Sequence, residues 1–380
     1  MKPVAWVKDT YLPLSETFIY EPLISLKSWH PVVIAKDAAN LKAFQYGDLR
    51  LLEEDGKAAT LLSSLRLIKR ALGRDPGAFA DFILSVCRER APRAIHAHFG
   101  PAGFEALKAA KELGLPLLTS FYGYDVSVHA RDRKWRKRYG ELFSGGKAFA
   151  TEGPHMKRSL IEMGCPEDKV RIVHIGVDIN RLPFKPRFLS DGQRLVILLA
   201  GRFVEKKGIE YALGAADHLA RAGIDFELRL AGDGPLRRRI EGIVESRALG
   251  DRVKILGFLS HAELVREIYR AHIGIVPSVT ASNGDSEGGA PKVLLEMEAT
   301  GLPIVAFRHA DIPYVAPEGM ASVLVDERDS KGLAEAIKGL IAEKEKWPEI
   351  GRKASDFARA NFSLEDVVGH YEKLYEELCG

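Results

Sequence analysis

Short apolar segments alternate with longer segments of helical periodicity from one end of the chain to the other. Runs rich in Val, Ile and Leu are typical of strands buried on both faces of a parallel sheet, and the periodic segments between them are typical of crossover helices. We therefore predict an α/β fold with two doubly wound parallel-sheet domains that face each other across a cleft. The strands are predicted near Val4–Val7, Val32–Ala35, Ala94–His96, Pro116–Phe121, Ala148–Thr151, Val170–Ile175, Leu195–Ala200, Phe226–Ala231, Val253–Gly257, Ile273–Val276, Ile304–Phe307 and Ser322–Val325.

The length of the chain also favours two domains. With 380 residues it exceeds the size at which a single hydrophobic core normally stops growing. The segment Leu182 to Arg194 (LPFKPRFLSDGQR) contains two prolines and a turn pattern, and we predict that it links the domains. The expected domains are residues 1–184 and residues 185–363.

The composition is that of an ordinary globular protein, with 46% hydrophobic and 28% charged residues. The three cysteines are widely separated and lack metal-ligand spacing, which favours a reducing compartment over a disulfide framework. No segment reaches the roughly 18 apolar residues that a membrane-spanning helix needs, and no signal-peptide pattern opens the sequence. We therefore expect a cytoplasmic protein.

One short segment is strongly basic. His129 to Arg138 (HARDRKWRKR) contains six Lys and Arg residues, one acid and Trp135. Such a run is either the solvated face of a helix or a contact for an anionic membrane surface or an acidic acceptor. Because no recognition motif for nucleic acid accompanies it, we expect no nucleic-acid partner.

A Gly-rich loop in the second half of the chain has the features of an anion site. The apolar run Ile273–Val276 precedes a polar loop, Ser278 to Ala290, and Pro291 then opens an amphipathic helix. Backbone N–H groups at a helix N-terminus and the helix dipole favour a bound phosphate. Two carboxylates, Glu287 and Glu296, flank the turn and suit hydroxyl groups, so the pattern suggests a phosphorylated sugar. The alternative is an ordinary β–loop–α connection with solvated acids.

Two cations follow the strand predicted near Leu195–Ala200. Arg202 ends that strand, and Lys207 lies on the turn into the next helix, just before Gly208. An arginine offers a bidentate fork and a lysine a point charge, so the two together can bind a diphosphate.

Two histidines lie at the end of the strand predicted near Ala94–His96. His96 and His98 are two positions apart and therefore point to the same side of a strand. A metal site would need a third ligand at suitable spacing, and none is visible, so no metal is predicted. Each histidine is then either a satisfied polar residue of the fold or a member of an active site.

The loop after the first strand is a further candidate. It lacks the Gly-rich pattern of dinucleotide-binding folds, which argues against a simple NAD enzyme. Ser15 either caps the following helix or lines a ligand site.

Five segments resemble, in the same order along the chain, the motifs of the retaining glycosyltransferases of family 4, which have the GT-B fold of two Rossmann-like domains. The donor-site signature of that family resembles residues 284–306 (GDSEGGAPKVLLEMEATGLPIVA), and its pyrophosphate clamp resembles residues 198–208 (LLAGRFVEKKG). Residues 95–101 (IHAHFGP) and 119–127 (TSFYGYDVS) resemble its active-site segments. Residues 15–22 (SETFIYEP) resemble the opening of the exopolysaccharide, colanic-acid-type branch.

The resemblance implies retaining, metal-independent transfer of a sugar from a UDP- or GDP-sugar to a glycan or lipid-linked acceptor in exopolysaccharide synthesis. It implies no cofactor, and it implies that the last helix, at about residues 364–378, packs back on the first domain. The implied catalytic residues are His98, Arg202, Lys207 and Glu287. The implied donor-binding residues are Gly201, Arg202, Lys207, Gly257, Phe258, Leu259, Gly288, Gly289, Ala290, Lys292, Val293 and Glu296. The implied acceptor-side residues are Ser15, Glu16, Thr17, Tyr122 and Asp125.

The sequence departs from the family pattern at three places. Tyr122 stands where relatives often carry His, and Ile175 stands where they commonly carry Asn. The family signature has seven residues between its two glutamates, whereas eight separate Glu287 from Glu296, so the role of Glu287 is the weaker assignment. These departures keep open an alternative, a GT-B protein that binds a nucleotide sugar without transferring it or that acts as an epimerase.

Overall fold

The computed structural model describes residues 1–53 and 77–380, which form two compact units. The N-terminal unit contains Met1–Gly176 together with Leu364–Gly380, and the C-terminal unit contains Val177–Ser363. The units divide at Gly176, ahead of the boundary expected at residue 184. No helix of the described ranges combines the length and the apolar composition needed to cross a lipid bilayer.

A parallel sheet of seven described strands forms the N-terminal unit. The strands are β1 (Lys2–Tyr11), β2 (Trp29–Ala38), β3 (Leu49–Leu51), β4 (Ala94–His98), β5 (Leu117–Ser120), β6 (Ala148–Thr151) and β7 (Val170–Ile172). Their order across the sheet is β3-β2-β1-β4-β5-β6-β7. The direction of winding therefore reverses between β1 and β4, and open α/β sheets bind ligands at the carboxyl ends of the strands at such a reversal.

The C-terminal unit has the same architecture with six described strands. They are β8 (Leu195–Ala200), β9 (Phe226–Ala231), β10 (Val253–Gly257), β11 (Ile273–Val276), β12 (Ile304–Phe307) and β13 (Ser322–Val325). Their order is β10-β9-β8-β11-β12-β13, so the winding reverses between β8 and β11.

Helices connect most consecutive strands in the two sheets, as is usual for parallel pairing, whereas a turn-rich loop without a helix connects β2 and β3. The helices of the described residues are α1 (Thr17–Ser25), α2 (Ala78–Arg90), α3 (Gly100–Leu113), α4 (Gly123–Ser127), α5 (Arg133–Gly145), α6 (Pro154–Glu162), α7 (Ile209–Arg221), α8 (Arg237–Ser246), α9 (His261–Arg270), α10 (Lys292–Ala299), α11 (Ile312–Val315), α12 (Ser330–Ala342), α13 (Trp347–Asn361) and α14 (Leu364–Cys379).

The prediction of two doubly wound parallel sheets is confirmed. Every predicted strand overlaps an observed one, because each contains a short run of apolar residues. Most of the strands are buried on both faces, whereas β7 and β10 are partly exposed. β3 was not predicted, since its three residues at the edge of the sheet are too few to give a pattern.

The C-terminal helix α14 is anchored in the N-terminal unit by a buried hydrogen-bond network. The hydroxyl of Tyr375 accepts a hydrogen bond from Trp6 Nε1 at 3.1 Å and lies 2.6 Å from His96 Nδ1. The other ring nitrogen of His96 lies 2.8 Å from Ser120 Oγ. Burial lowers the pKa of His96 to about 3, so this histidine is a neutral, satisfied residue of the fold.

The segment predicted as a linker, Leu182 to Arg194, lies within the C-terminal unit. Arg187 is buried there and donates hydrogen bonds to the carbonyl oxygens of Ile268 and Ala271 at 3.2 Å and of Thr300 at 3.3 Å. These carbonyls are at the C-terminal ends of α9 and α10, where the helix dipole favours a cation. The segment is therefore held against the C-terminal ends of two helices of this unit.

Candidate active site

The carboxyl ends of β8 and β11 meet at the reversal of winding in the C-terminal unit. A pocket opens at this point, where open α/β sheets bind ligands. Its lining residues are Leu199, Ala200, Lys207, Ile275, Val276, Pro277, Ser278 and Pro291. The pocket therefore joins the two segments in which the sequence predicts a diphosphate clamp and an anion site.

The clamp segment is a tight turn between β8 and α7. Gly201 directly follows the strand. The aliphatic part of Lys207 lies close to it, as shown by the 3.3 Å that would separate a Cβ at Gly201 from Lys207 Cδ and Cε. Gly208 has a φ of +62°, and a Cβ there would lie 1.8 Å from the carbonyl oxygen of Pro277. Only glycine therefore allows the turn to pack against the end of β11.

The two predicted cations are in different states. Arg202 is exposed and forms no ion pair or hydrogen bond through its side chain among the residues that the structure describes. Lys207 is mostly buried, and its Nζ lies 2.7 Å from Glu287 Oε1. Arg202 is therefore available to an anion, whereas Lys207 is already held in place by a carboxylate.

Glu287 faces the clamp despite the longer loop. Its carboxylate accepts a hydrogen bond from Ser278 Oγ at 3.2 Å in addition to the ion pair with Lys207. Burial on its own would raise the pKa of Glu287, but the charges of Lys207 and Lys206 outweigh it and hold that pKa below its ordinary value. Glu287 is thus ionised near neutral pH.

The loop that carries Glu287 ends at the N-terminus of α10. Gly288 has a φ of +73°, and Gly289 and Ala290 follow it with backbone N–H groups for which the described residues provide no hydrogen-bond acceptor. The helix begins at Lys292 with Pro291 as the N-cap, one residue later than predicted. Lys292 and Val293 form its first turn. This arrangement has the free donors of an anion site.

Glu296 is on the inner side of α10 and is 3% exposed. Its Oε1 lies 2.9 Å from His261 Nε2 and 3.7 Å from Lys292 Nζ. The histidine belongs to the segment after β10, so Glu296 connects that segment with α10. Sequence reasoning missed His261, whose only signal is its place directly after the strand-end loop.

The loop that ends β10 contains three of the implied donor-binding residues, Gly257, Phe258 and Leu259. Gly257 has a φ of +74°, and its carbonyl oxygen accepts a hydrogen bond from the N–H of Gly232 at 2.8 Å. Phe258 is 62% exposed, and Leu259 is partly buried. An exposed phenyl ring at the edge of a sheet offers a stacking surface for an aromatic ligand.

His98 lies at the end of β4 in the N-terminal unit and is covered by other side chains. Its ring is 2% exposed, lies 4.4 Å from the ring of Trp6, and its Nδ1 lies 2.9 Å from the hydroxyl of Tyr122. Nε2 has no hydrogen-bond partner among the described residues. Burial, followed by the charges of His96 and Lys8, puts the pKa of His98 well below its ordinary value. A neutral His98 would reach a ligand only if a neighbour moved, so its catalytic role stays a prediction.

The other residues predicted on the acceptor side have mainly local contacts in this structure. Ser15 is exposed, and it does not cap α1, whose N-cap is Glu16 without a side-chain hydrogen bond. Glu16 forms an ion pair with Lys8 at 2.5 Å, and Thr17 is the first residue of α1. The helix-capping alternative for Ser15 is therefore wrong.

Tyr122 and Asp125 form the start of α4. Asp125 Oδ2 accepts a hydrogen bond from the N–H of Tyr122 at 3.2 Å, as in a capping box. Burial raises the pKa of Asp125 to about 7, although hydrogen bonds from Tyr122 and Gly100 oppose the shift. Tyr122 also lines a small pocket of the N-terminal unit, next to Ser120 and Tyr371.

No group of three or more His, Cys, Asp or Glu side chains within residues 1–53 and 77–380 is arranged to hold a metal ion.

Comparison with known proteins places the chain in a family. The family model described as "Glycosyltransferase Family 4" matches residues 30–181, and the one described as "Glycosyl transferases group 1" matches residues 194–343. The amylovoran biosynthesis glycosyltransferase AmsK of Erwinia amylovora is 31% identical over 301 residues, which cover 74% of this chain and 73% of AmsK. WcaL of Escherichia coli, named for colanic acid biosynthesis, is 34% identical over 245 residues, or 63% of this chain. The match spans only 59% of the length of WcaL.

Solved structures share the fold over the whole chain. HepE of Anabaena, solved in complex with UDP and glucose, has a TM-score of 0.79 at 16% identity and covers 99% of each chain. Sucrose-phosphate synthase of Thermosynechococcus elongatus has a TM-score of 0.78 at 19% identity, covering 100% of this chain and 99% of the synthase. At such identities the likeness concerns the fold, which is GT-B. The chain belongs to the glycosyltransferases of family 4.

Proposed function

We propose that the chain is a retaining glycosyltransferase that moves a sugar from a nucleotide diphospho-sugar to a glycan or lipid-linked acceptor in exopolysaccharide synthesis. One observation carries the proposal. The pocket between β8 and β11 is lined by Lys207, a lysine already held in place by Glu287. The two segments that meet at the pocket also carry an unpaired arginine, Arg202, and free backbone N–H groups at Gly289 and Ala290, and all of these suit a diphosphate. The names of AmsK and WcaL support exopolysaccharide as the setting.

In this proposal the C-terminal unit binds the donor. Arg202 and Lys207 neutralise the pyrophosphate, and the N–H groups of Gly289 and Ala290 donate to it. Glu296 binds the ribose hydroxyls, and Glu287 binds a hydroxyl of the sugar. The loop of Gly257 to Leu259 borders the base and contacts it mainly through the backbone. The side chains of this loop therefore do not indicate which base is bound.

The chemistry depends on stabilising the departing nucleoside diphosphate. Negative charge develops on the β-phosphate oxygen as the bond to the anomeric carbon breaks, and preset cations at that oxygen lower the barrier. Arg202 and Lys207 take the place that a divalent metal has in other transferases, so the reaction needs no metal and no cofactor. The leaving phosphate accepts the proton of the acceptor hydroxyl on the same face of the sugar, which retains the anomeric configuration.

The N-terminal unit supplies the acceptor side. Ser15, Glu16, Thr17, Tyr122 and Asp125 surround the carboxyl end of its sheet, and His98 orients the acceptor or the transferred sugar through Tyr122. The phenol hydroxyl of Tyr122 replaces the imidazole of many relatives and serves as a hydrogen-bonding group rather than a base.

The basic segment, which leads into the first turns of α5, provides a contact for an anionic membrane. The six Lys and Arg residues of His129–Arg138 are exposed, and none forms an ion pair with an acid of the described residues. Tyr124 beside them is 46% exposed, and the Arg138 guanidinium lies 4.8 Å from the Trp135 ring. Unpaired cations next to aromatic rings suit the headgroup region. We place the enzyme at the inner face of the cell membrane, where a lipid-linked acceptor would be found.

The proposal is tested by calorimetric titration of the protein with UDP, GDP, ADP and NAD. One nucleoside diphosphate should bind with a dissociation constant in the micromolar range, which is about −8 kcal/mol. The complexes of HepE with UDP make UDP the first to test. Binding of NAD alone, or of none of the four, would contradict the proposal.

A further inference from the structure

A buried hydrogen-bond network ties the Gly-rich loop to the ends of β12 and β13. His309 follows β12 after one intervening residue and is 3% exposed. Its Nδ1 lies 2.6 Å from Oε1 of Glu327, which is on the loop after β13. Both residues are therefore presented at the carboxyl edge of the sheet that also carries the pocket.

The other nitrogen of this histidine faces two donors. Ser286 Oγ lies 3.2 Å from His309 Nε2, and the backbone nitrogen of Glu287 lies 3.4 Å from it. An N–H group can only donate, so Nε2 must accept and the ring proton must be on Nδ1, directed at Glu327. The imidazole thus fixes the main chain of the residue whose carboxylate pairs with Lys207.

Glu327 also holds the beginning of the same loop. Its Oε2 accepts a hydrogen bond from the N–H of Thr280 at 3.3 Å, and the adjacent Arg328 donates to the carbonyl oxygen of Thr280 at 2.6 Å. One carboxylate therefore fixes the loop at Thr280 directly and at Ser286 and Glu287 through His309. These contacts hold the loop between β11 and α10 at both ends, in addition to the contacts that Glu205 and Lys206 make with Ser282 and Asp285 in its middle.

We propose that His309 and Glu327 are positioning residues of the donor site, which hold Glu287 and Lys207 in the geometry that turnover requires. Neither side chain borders the pocket, so neither needs to touch the sugar nucleotide. The inference rests on the proposed function, because Glu287 acts on the donor only if the donor is bound there. In this role the carboxylate of Glu327 selects the tautomer of His309 that has its proton on Nδ1, which leaves Nε2 to accept the hydrogen bond from the Glu287 N–H.

Ser286, His309 and Glu327 are a serine, a histidine and a carboxylate, the three types of side chain that form the catalytic triad of serine hydrolases. In those enzymes the histidine activates the serine as a nucleophile. Here Ser286 Oγ also accepts a hydrogen bond from the N–H of Gly288 at 3.3 Å, so the hydroxyl is part of the loop's own structure. A positioning network predicts that Ser286→Ala keeps most of the turnover, since the contact of the Glu287 N–H with His309 remains. A nucleophilic serine predicts complete loss and covalent labelling by a fluorophosphonate, and that outcome would overturn the inference.

The direct test compares His309→Leu with His309→Gln, using UDP-glucose turnover and UDP binding. His309→Leu should lower kcat by about 10- to 100-fold, the effect of a misplacement of about 1 Å, while the Kd for UDP changes by less than about threefold. His309→Gln should recover most of kcat, because its amide oxygen can accept at the position of Nε2. A kcat unchanged in His309→Leu, or one equally low in both variants, would overturn the proposal.

A second comparison applies if His309→Leu does not fold. His309→Asn keeps a donor for Glu327 but is too short to reach the N–H of Glu287, so its kcat should be at least about tenfold below that of His309→Gln. Equal values would overturn the proposal. Lys207→Met distinguishes a failure of the proposed function from a failure of the positioning role. If Lys207→Met binds UDP and turns over normally, the proposed function fails. If Lys207→Met is inactive and His309→Leu is normal, only the positioning role fails.

Discussion

Lys207 Nζ and Glu287 Oε1 lie 2.7 Å apart beside the pocket at the end of β8, with side chains that are 17% and 9% exposed. The lysine comes from the turn before α7 and the glutamate from the loop before α10, so the pair fixes two otherwise separate segments to each other. The cation is thereby oriented before a donor arrives, and preorganised charge is what an electrostatic catalyst needs.

We predict that Glu287→Gln separates binding from turnover. Removing the carboxylate frees the charge of Lys207 for the diphosphate and removes a repulsion of about 1 kcal/mol, so UDP should bind about threefold to tenfold more tightly. Turnover should fall for two reasons. The sugar hydroxyl loses the carboxylate that binds it, and Lys207 loses the ion pair that fixes its orientation. Calorimetry and initial rates measure the two effects. Weaker binding with unchanged kcat would show instead that Glu287 serves only to place Lys207 for binding.

Gly208 should be irreplaceable for the fold of the C-terminal unit. In Gly208→Ala the new Cβ would meet the Pro277 carbonyl oxygen at 1.8 Å, in addition to the strain of a positive φ. Gly223→Ala is the matched control, because Gly223 has a φ of +75° but open space around its Cβ position. Urea titration should give a loss of about 1 kcal/mol for Gly223→Ala and of at least about 3 kcal/mol for Gly208→Ala. Equal losses would mean that the turn can move away from β11.

Glu298 should make the stability of the protein depend on pH. It is fully buried on α10, its Oε2 has no partner among the described residues, and burial raises its pKa well above the ordinary value. An unfolded glutamate ionises near pH 4.3, so above that pH the folded state keeps a proton that the unfolded state has lost. The free energy of unfolding therefore falls as pH rises from there towards the folded-state pKa.

We predict that Glu298→Gln removes this pH dependence and raises the melting temperature at pH 8 by a few degrees, which is roughly 1 kcal/mol. Glu245→Gln, at an exposed position of α8, is the control and should change neither quantity. Thermal scans from pH 5 to pH 8 measure both variants. The same slope in Glu298→Gln as in the natural protein would assign the pH dependence to other groups, such as Asp125.

The basic segment should bind anionic vesicles. Replacing Arg133, Lys134 and Lys137 by Gln removes three exposed cations and should weaken binding to phosphatidylglycerol vesicles by roughly 100-fold, at about 1 kcal/mol each. The control replaces Lys42, Lys111 and Arg158, which are exposed elsewhere on the N-terminal unit. Vesicle cosedimentation at low salt compares the two. If both triple variants weakened vesicle binding equally, the binding would depend on the net charge of the protein and not on the basic segment.

The sequence predicted the elements that depend on local pattern and missed those that depend on distant partners. The strand runs, the turn at Gly208 and the helix start at Pro291 each have a local signal. All predicted strands overlap observed ones, although β1, β2 and β7 each have at least one end that differs from the predicted end by three or four residues. The role of Glu287 was the weaker assignment because of the extra loop residue, and its ion pair with Lys207 was not predicted.

The residues that hold the site in place have no such signal. His309 lies far along the chain from Glu287, and only the order of β11, β12 and β13 in the sheet brings them together. The burial of His98 could likewise not be read from the sequence, since Trp6 covers it from β1 and Tyr122 covers it from the start of α4. A single sequence does not record which side chains meet across a parallel sheet.

The central claim, that Arg202 and Lys207 form the diphosphate clamp of a sugar-transfer site, is tested most directly by turnover of the donor in single variants. Arg202→Ala and Lys207→Met are compared with Arg238→Ala, which removes an exposed cation from α8. We predict a loss of kcat/KM of at least about 100-fold for the first two, which is about 2.7 kcal/mol of transition-state stabilisation, and no loss for the third. Turnover that survives Lys207→Met and Arg202→Ala would contradict the account.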